Sequence, residues 1–123
     1  MIAQDIVGHD ATIMIDAGDI KRMRMNSDVL DGWRMEGLQD LLREMALEGL
    51  GTMLGSHHGM RLSCLALHLV YDAEVGLMAS SLDPLRGVLD SLSDVDMITG
   101  AASVPNLGCD LLLCMVAGFV AAS

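Results

Sequence analysis

Aromatic residues are almost missing from this chain: Trp33, Tyr71 and Phe119 are the only three in 123 residues, against 11 methionines. A core must therefore be assembled from Leu, Met, Val, Ile and Ala, without the large buried area that aromatic rings supply. Methionine fills gaps without selecting one arrangement, so the expected core is adaptable and modestly stable. Positive charge is scarce as well. Seven Lys and Arg stand against 17 Asp and Glu, for a net charge of -10, and nothing basic follows Arg86. Nucleic-acid binding draws on clustered basic residues that displace counterions from phosphates, and the one cluster here is Lys21, Arg22 and Arg24, so that function class is set aside. Cys64, Cys109 and Cys114 are odd in number and match no disulfide framework, and the first 25 residues lack a charged segment followed by an apolar one. A reduced, non-secreted, cytoplasmic protein is expected.

What is present is enough apolar sequence to collapse. Hydrophobic residues make up 52% of the chain, too many for disorder throughout, and the length suits one small domain over residues 1–123. Residues 11–25 read as two short strands around Asp16 and Asp19, the second alternating Lys21, Met23 and Met25 with Arg22 and Arg24. From 28 to 47 the period becomes helical: Leu30, Leu38, Leu41, Leu42 and Met45 share one face, with Glu36, Gln39, Asp40, Arg43 and Glu44 opposite and Gly49, Gly51 and Gly55 as stop signals. Residues 62–71 set Leu65, Leu67 and Leu69 against Ala66, His68 and Val70, which suits a strand buried on one face and nearly buried on the other, and a buried helix is the alternative because short apolar runs do not separate the two. After a turn at Asp72, Ala73 and Glu74, residues 75–80 are expected to return as its hairpin partner. Asp83 before Pro84 marks the start of a second helix over 84–97, striped by Leu85, Val88, Leu89, Leu92 and Val95. Residues 100–106 then read as a loop broken by Pro105, and 111–122 are continuously apolar. The expectation is an α+β fold: a small antiparallel sheet of short hairpins covered on one face by two amphipathic helices, with an apolar C-terminal element.

Few residues carry recognisable chemistry. His57 and His58, with Cys64 and His68 downstream, are the one concentration of possible metal ligands, yet the two histidines are adjacent and no zinc spacing is met. Gly49, Gly51 and Gly55 follow a helix instead of a strand and lack the Lys-Ser/Thr of a phosphate loop. Asp94 and Asp96 open like a calcium loop, which then fails at Ile98 and Pro105. Ser56 is in no nucleophile elbow, and His9 beside Asp10 is an ordinary pair. No catalytic, cofactor or metal residue is assigned. The twelve apolar residues 111–122 fall short of the roughly 20 that span a bilayer, and extending them brings in Asp110, so burial in protein is preferred to membrane insertion.

The succession of helix 28–47, Leu65 to Asp72, Val75 to Ser81 and helix 84–97 resembles that of the roadblock modules, which dimerise and bind small GTPases. The likeness covers about half the chain, and residues 111–122 stand where further strands belong, so no family is assigned on it. The preferred function is a non-enzymatic self-associating or protein-binding module, since two helices cover limited sheet and uncovered apolar patches usually mark interfaces. The rivals are a membrane-associated small protein, a small enzyme using the His57 and His58 loop, and a chance open reading frame without selected function. The purified protein is expected to bind no stoichiometric zinc. One tightly held equivalent by metal analysis, lost in a His57→Ala, His58→Ala variant, overturns that reading.

Overall fold

The computed structural model describes residues 17–121. In chain order these form helix α1 (Ala17–Met25), strand β1 (Val29–Gly37), a 3-10 turn (Gln39–Leu41), helix α2 (Leu42–Ser56), strand β2 (Met60–Asp72), helix α3 (Ala79–Asp90), strand β3 (Asp96–Val104) and strand β4 (Leu111–Ala121). The fold is α+β, as expected, but the sheet is mixed. Its order is β1-β4-β2-β3, with β4 antiparallel to both neighbours and β3 parallel to β2. A parallel pair needs a crossover, and α3 supplies it, so the expected second hairpin is replaced by a β-α-β unit. The turn after β2 does form: Val75 N and Gly76 N both donate to Asp72 O, and Glu74 N donates to Asp72 Oδ1 at 2.9 Å. Beyond that turn the chain enters helix α3 instead of returning as a strand.

One irregularity sets the parity of β2. The pairing with β4 slips between Leu62 and Cys64, leaving Ser63 as a bulge. A bulge adds one residue to one strand, so Met60 and Leu62 before it and Leu65, Leu67 and Leu69 after it all reach the same face. That face meets Leu111, Leu113, Met115, Ala117 and Phe119 of β4 and the buried stripe of α2, with Leu85 of α3. The other face carries Cys64, Ala66, Val70, Leu112, Cys114 and Val116, against Ile20 and Met23 of α1. Helices thus lie on both faces among the described residues, not on one.

Four expected elements are corrected. The residues read as the second strand of an N-terminal hairpin are helix α1. Ile20 and Met23, three apart, are buried while the cations between and after them are exposed, so docking chose the helical period over the alternation; residues 11–16 and the pair His9 and Asp10 lie outside the described residues. The helix placed over 28–47 begins only at Leu42. Gly32 and Gly37 disfavour helix in the preceding stretch, which pairs with β4 as an edge strand, and the genuine stripe is Leu42, Met45, Ala46, Gly49, Leu50 and Met53. The second helix runs over Ala79–Asp90, ahead of the Asp83 and Pro84 start signal. Pro84 sits inside it, where the missing N–H forgoes only a bond to an exposed early turn. Leu92 and Val95 still pack against the core from the turn beyond. The loop expected over 100–106 is largely β3, whose small residues are held by backbone pairing with β2. The roadblock likeness rests on a helix over 28–47 followed by a hairpin; the helix begins only at Leu42 and the hairpin does not form.

Glycine 49 explains why α2 continues through its stop signals. It faces the sheet, where an added Cβ would overlap Met115 Cε and come within 2.7 Å of Trp33 Nε1, so the helix can lie this close only without a side chain there. Gly51 meets nothing within 4 Å. Gly51→Ala is therefore expected to stabilise the protein by about 0.5–1 kcal/mol through helix propensity alone. Gly49→Ala gains the same propensity but incurs an overpacking cost of about 1–3 kcal/mol, so its net effect is destabilising. Thermal and urea unfolding of the two variants check the opposite signs.

Candidate functional site

The four metal candidates are dispersed. His57 terminates α2, and its Nε2 lies 3.0 Å from Asp31 Oδ2 of β1 while its ring stacks on Phe119 with centroids 4.4 Å apart. Asp31 is held in turn by the Gly32 N–H, donating to Oδ1 at 2.8 Å. His58 is exposed in the turn before β2. Cys64 is buried on the α1 face of the sheet, 3.4 Å from Ser27 Oγ, and His68 is buried four residues further along β2. Among the described residues no group of three His, Cys, Asp or Glu could hold a metal ion. His57 and Asp31 form an oriented imidazole–carboxylate pair.

Cys109 is the one thiol that is not fully buried. Burial pushes its pKa up from the ordinary thiol value, the Glu36 and Asp110 carboxylates push it further, and a backbone hydrogen bond at Leu111 and the Arg34 charge oppose them. A raised thiol pKa leaves little thiolate at neutral pH, the opposite of what a nucleophilic cysteine needs.

A polar clasp that local sequence pattern did not disclose organises one pole of the molecule. Gln39, placed by periodicity on a solvent face, is 4% exposed. Its Nε2 donates to Gly76 O at 2.6 Å, its Oε1 accepts from Met78 N at 3.0 Å, and its own N–H donates to Asp110 Oδ2 at 2.7 Å. Three loops that lie far apart in sequence are joined by one side chain and one amide. Gly76 has φ +79, a backbone geometry that glycine adopts without strain, and it turns its carbonyl into the clasp. The two segments so joined carry exposed apolar residues: Leu38 is 58% exposed, Leu41 49%, Val75 56% and Met78 55%. The clasp thus joins two segments that each present exposed apolar residues.

No family model and no curated protein matches the chain. Among solved structures, the FtsZ dimer from M. jannaschii aligns with a TM-score of 0.56 at 18% identity, over 93% of this chain and 34% of that one. Thiamine monophosphate kinase from Aquifex aeolicus aligns with 0.55 at 10% identity over 82% of this chain and 40% of that one. The corresponding enzyme from Stenotrophomonas maltophilia gives 0.52 at 15% identity over 76% and 31%. The chain spans about a third of the length of these proteins, and the likeness is one of fold. No helix among the described residues is long and apolar enough to cross a membrane.

In the folded protein Cys109 is expected to alkylate more slowly than a free cysteine peptide at pH 8, with a rate midpoint above that of the peptide. Glu36→Gln removes a negative charge that disfavours the thiolate, so it moves that midpoint down. Stopped-flow thiol titration against pH checks both the position and the direction.

Proposed function

We propose that this chain is a non-enzymatic, protein-binding module that associates with a second copy of itself through the apolar pole at Leu38, Leu41, Val75 and Met78. The observation that supports the reading most is that these four half-exposed residues lie on segments pinned by a buried glutamine, so their exposure is a fixed feature of the fold and not an incidental loop conformation. Isolated exposed apolar residues need no explanation, but two exposed pairs on segments hydrogen-bonded to one another support reading this pole as an interface.

Magnitude limits the strength of that association. Four such side chains expose on the order of 350 Å², less than the roughly 800 Å² per partner of a stable interface. The dimer is accordingly weak and concentration-dependent, and the net charge of -10 on each copy opposes it at low salt. The FtsZ dimer lends this association no support, because only 34% of that chain is matched here.

Light-scattering mass is expected to rise from 13.1 kDa toward twice that value as protein and salt concentrations increase. Met78→Glu keeps the far-ultraviolet circular dichroism and holds the mass at the monomer value. A wild-type chain that stays monomeric up to about 1 mM, the affinity limit of a weak contact, overturns the proposal.

A further inference from the structure

Thr99 and Ala101 of β3 stand beside Leu67 and Leu69 of β2, and with Gly100 between them they are too small to carry that leucine layer across the strand. Room is left under helix α3. It is a cavity of about 300 Å³, floored by Leu67, Leu69 and Ala101 and roofed by Leu82, Leu85 and Leu89. Leu82 and Leu89 are only partly buried, so the cavity bares apolar surface that the described residues do not cover. Leu77 also lines it, and its neighbours Gly76 and Met78 are the two residues that Gln39 holds by carbonyl and amide. That part of the wall is fixed before any ligand arrives. The volume is at the bottom of the range of ordinary ligand pockets and too small for most cofactors.

The charge of the lining has one sign. Among the described residues that form it, Arg86 is the single charged side chain and Thr99 the single hydroxyl, in a chain where 17 Asp and Glu outnumber seven Lys and Arg. Arg86 Nη1 is 3.9 Å from Asp83 Oδ1, but the two side chains are 73% and 71% exposed, and an ion pair that long and that wet holds the guanidinium weakly. Its planar fork is therefore available to a ligand carboxylate. We infer that this cavity binds a free medium-chain monocarboxylate, its alkyl chain lying between the α3 leucines and the floor and its head group on Arg86. The volume sets the length: water occupies roughly 30 Å³ in the liquid and a methylene is of similar size, so the cavity takes about ten non-hydrogen atoms, those of octanoate. Apart from Thr99 and Arg86 the lining side chains are apolar and offer nothing to the amides of a peptide or the hydroxyls of a sugar. Asp83 and Asp90 flank Arg86 on α3 outside the lining, so they lower the affinity of a singly charged head and penalise a doubly charged phosphate more. The cavity shares no residue with the apolar pole, and the inference goes beyond self-association.

The probes are octanoate and its neutral counterpart 1-octanol, titrated into the full chain and followed by amide chemical shifts. Octanoate is expected to bind saturably with a Kd of about 1 mM or tighter, moving the amides of 82–89 and 99–101, and octanol to bind about threefold to fivefold more weakly. Arg86→Gln, an exposed position on α3, is expected to remove that difference by weakening octanoate alone, with the far-ultraviolet circular dichroism unchanged. Ala101→Phe places a ring in the cavity from an exposed position and is expected to weaken both probes at least about tenfold. Met78→Glu, at the pole, leaves octanoate binding unchanged whatever it does to the dimer. Five results each overturn the inference: octanol binding as tightly as octanoate, undiminished octanoate binding by Arg86→Gln, no saturation at about 10 mM, shifts centred away from the cavity, or tighter binding of a short peptide that ends in a free leucine carboxylate.

Discussion

Strand β4 is hydrogen-bonded along both edges and packed on both faces, and this double demand places every other element. On one edge it pairs with β1 from Val29 to Gly37, and on the other with β2 from Met60 to Tyr71. Strand β1 reaches the rest of the sheet only through it. Its odd-numbered residues Leu111 to Phe119 meet α2, while Leu112, Cys114 and Val116 meet the α1 side, and all are buried. A strand with no wet face reads as a continuous apolar run, and a charge placed anywhere in its middle would be buried without a partner. The chain ties down the entry and exit of this strand with polar groups: Asp110 accepts from Gln39 N just before it, and Asp28 Oδ2 accepts from Ala121 N at its far end.

Legibility depends on how locally each element is determined. Strand β2 is readable because its alternation of Leu65, Leu67 and Leu69 with Ala66, His68 and Val70 is a property of neighbouring residues. The Ser63 bulge is not, since a polar residue in a strand does not announce a register slip. Residues 29–37 mislead because Leu30 and Leu38 fall by chance on the helical stripe that truly begins at Leu42, and the glycines that argue against helix there lie outside that stripe. Glycines 49, 51 and 55 read as stops by propensity, whereas Gly49 is kept for a close approach to Trp33 that exists only in three dimensions. Helix α3 begins before the Asp-Pro pair because Leu82 and Leu85 have sheet to cover.

The site is less legible than the fold. His57, His58, Cys64 and His68 are near in sequence, but they are set apart at the end of α2, in an exposed turn and at separate positions along β2. Gln39 has no local signal at all, since its partners Gly76, Met78 and Asp110 are 37, 39 and 71 residues away. Periodicity can say which residues prefer company, but a hydrogen-bonded clasp between loops depends on where the sheet delivers them.

The near-absence of aromatics has an optical consequence. Trp33 is the single tryptophan, and its indole sits where β1 meets Gly49 of α2. The ring is half-buried, and its Nε1 is buried with no hydrogen-bond partner among the described residues, so that edge is shielded from the solvent dipoles that lower the energy of its excited state. Ultraviolet emission from this chain therefore originates almost wholly at one junction. Any motion that lifts α2 from β1 wets that nitrogen and moves the emission to longer wavelength, while rearrangement of the β3 edge leaves the spectrum where it was.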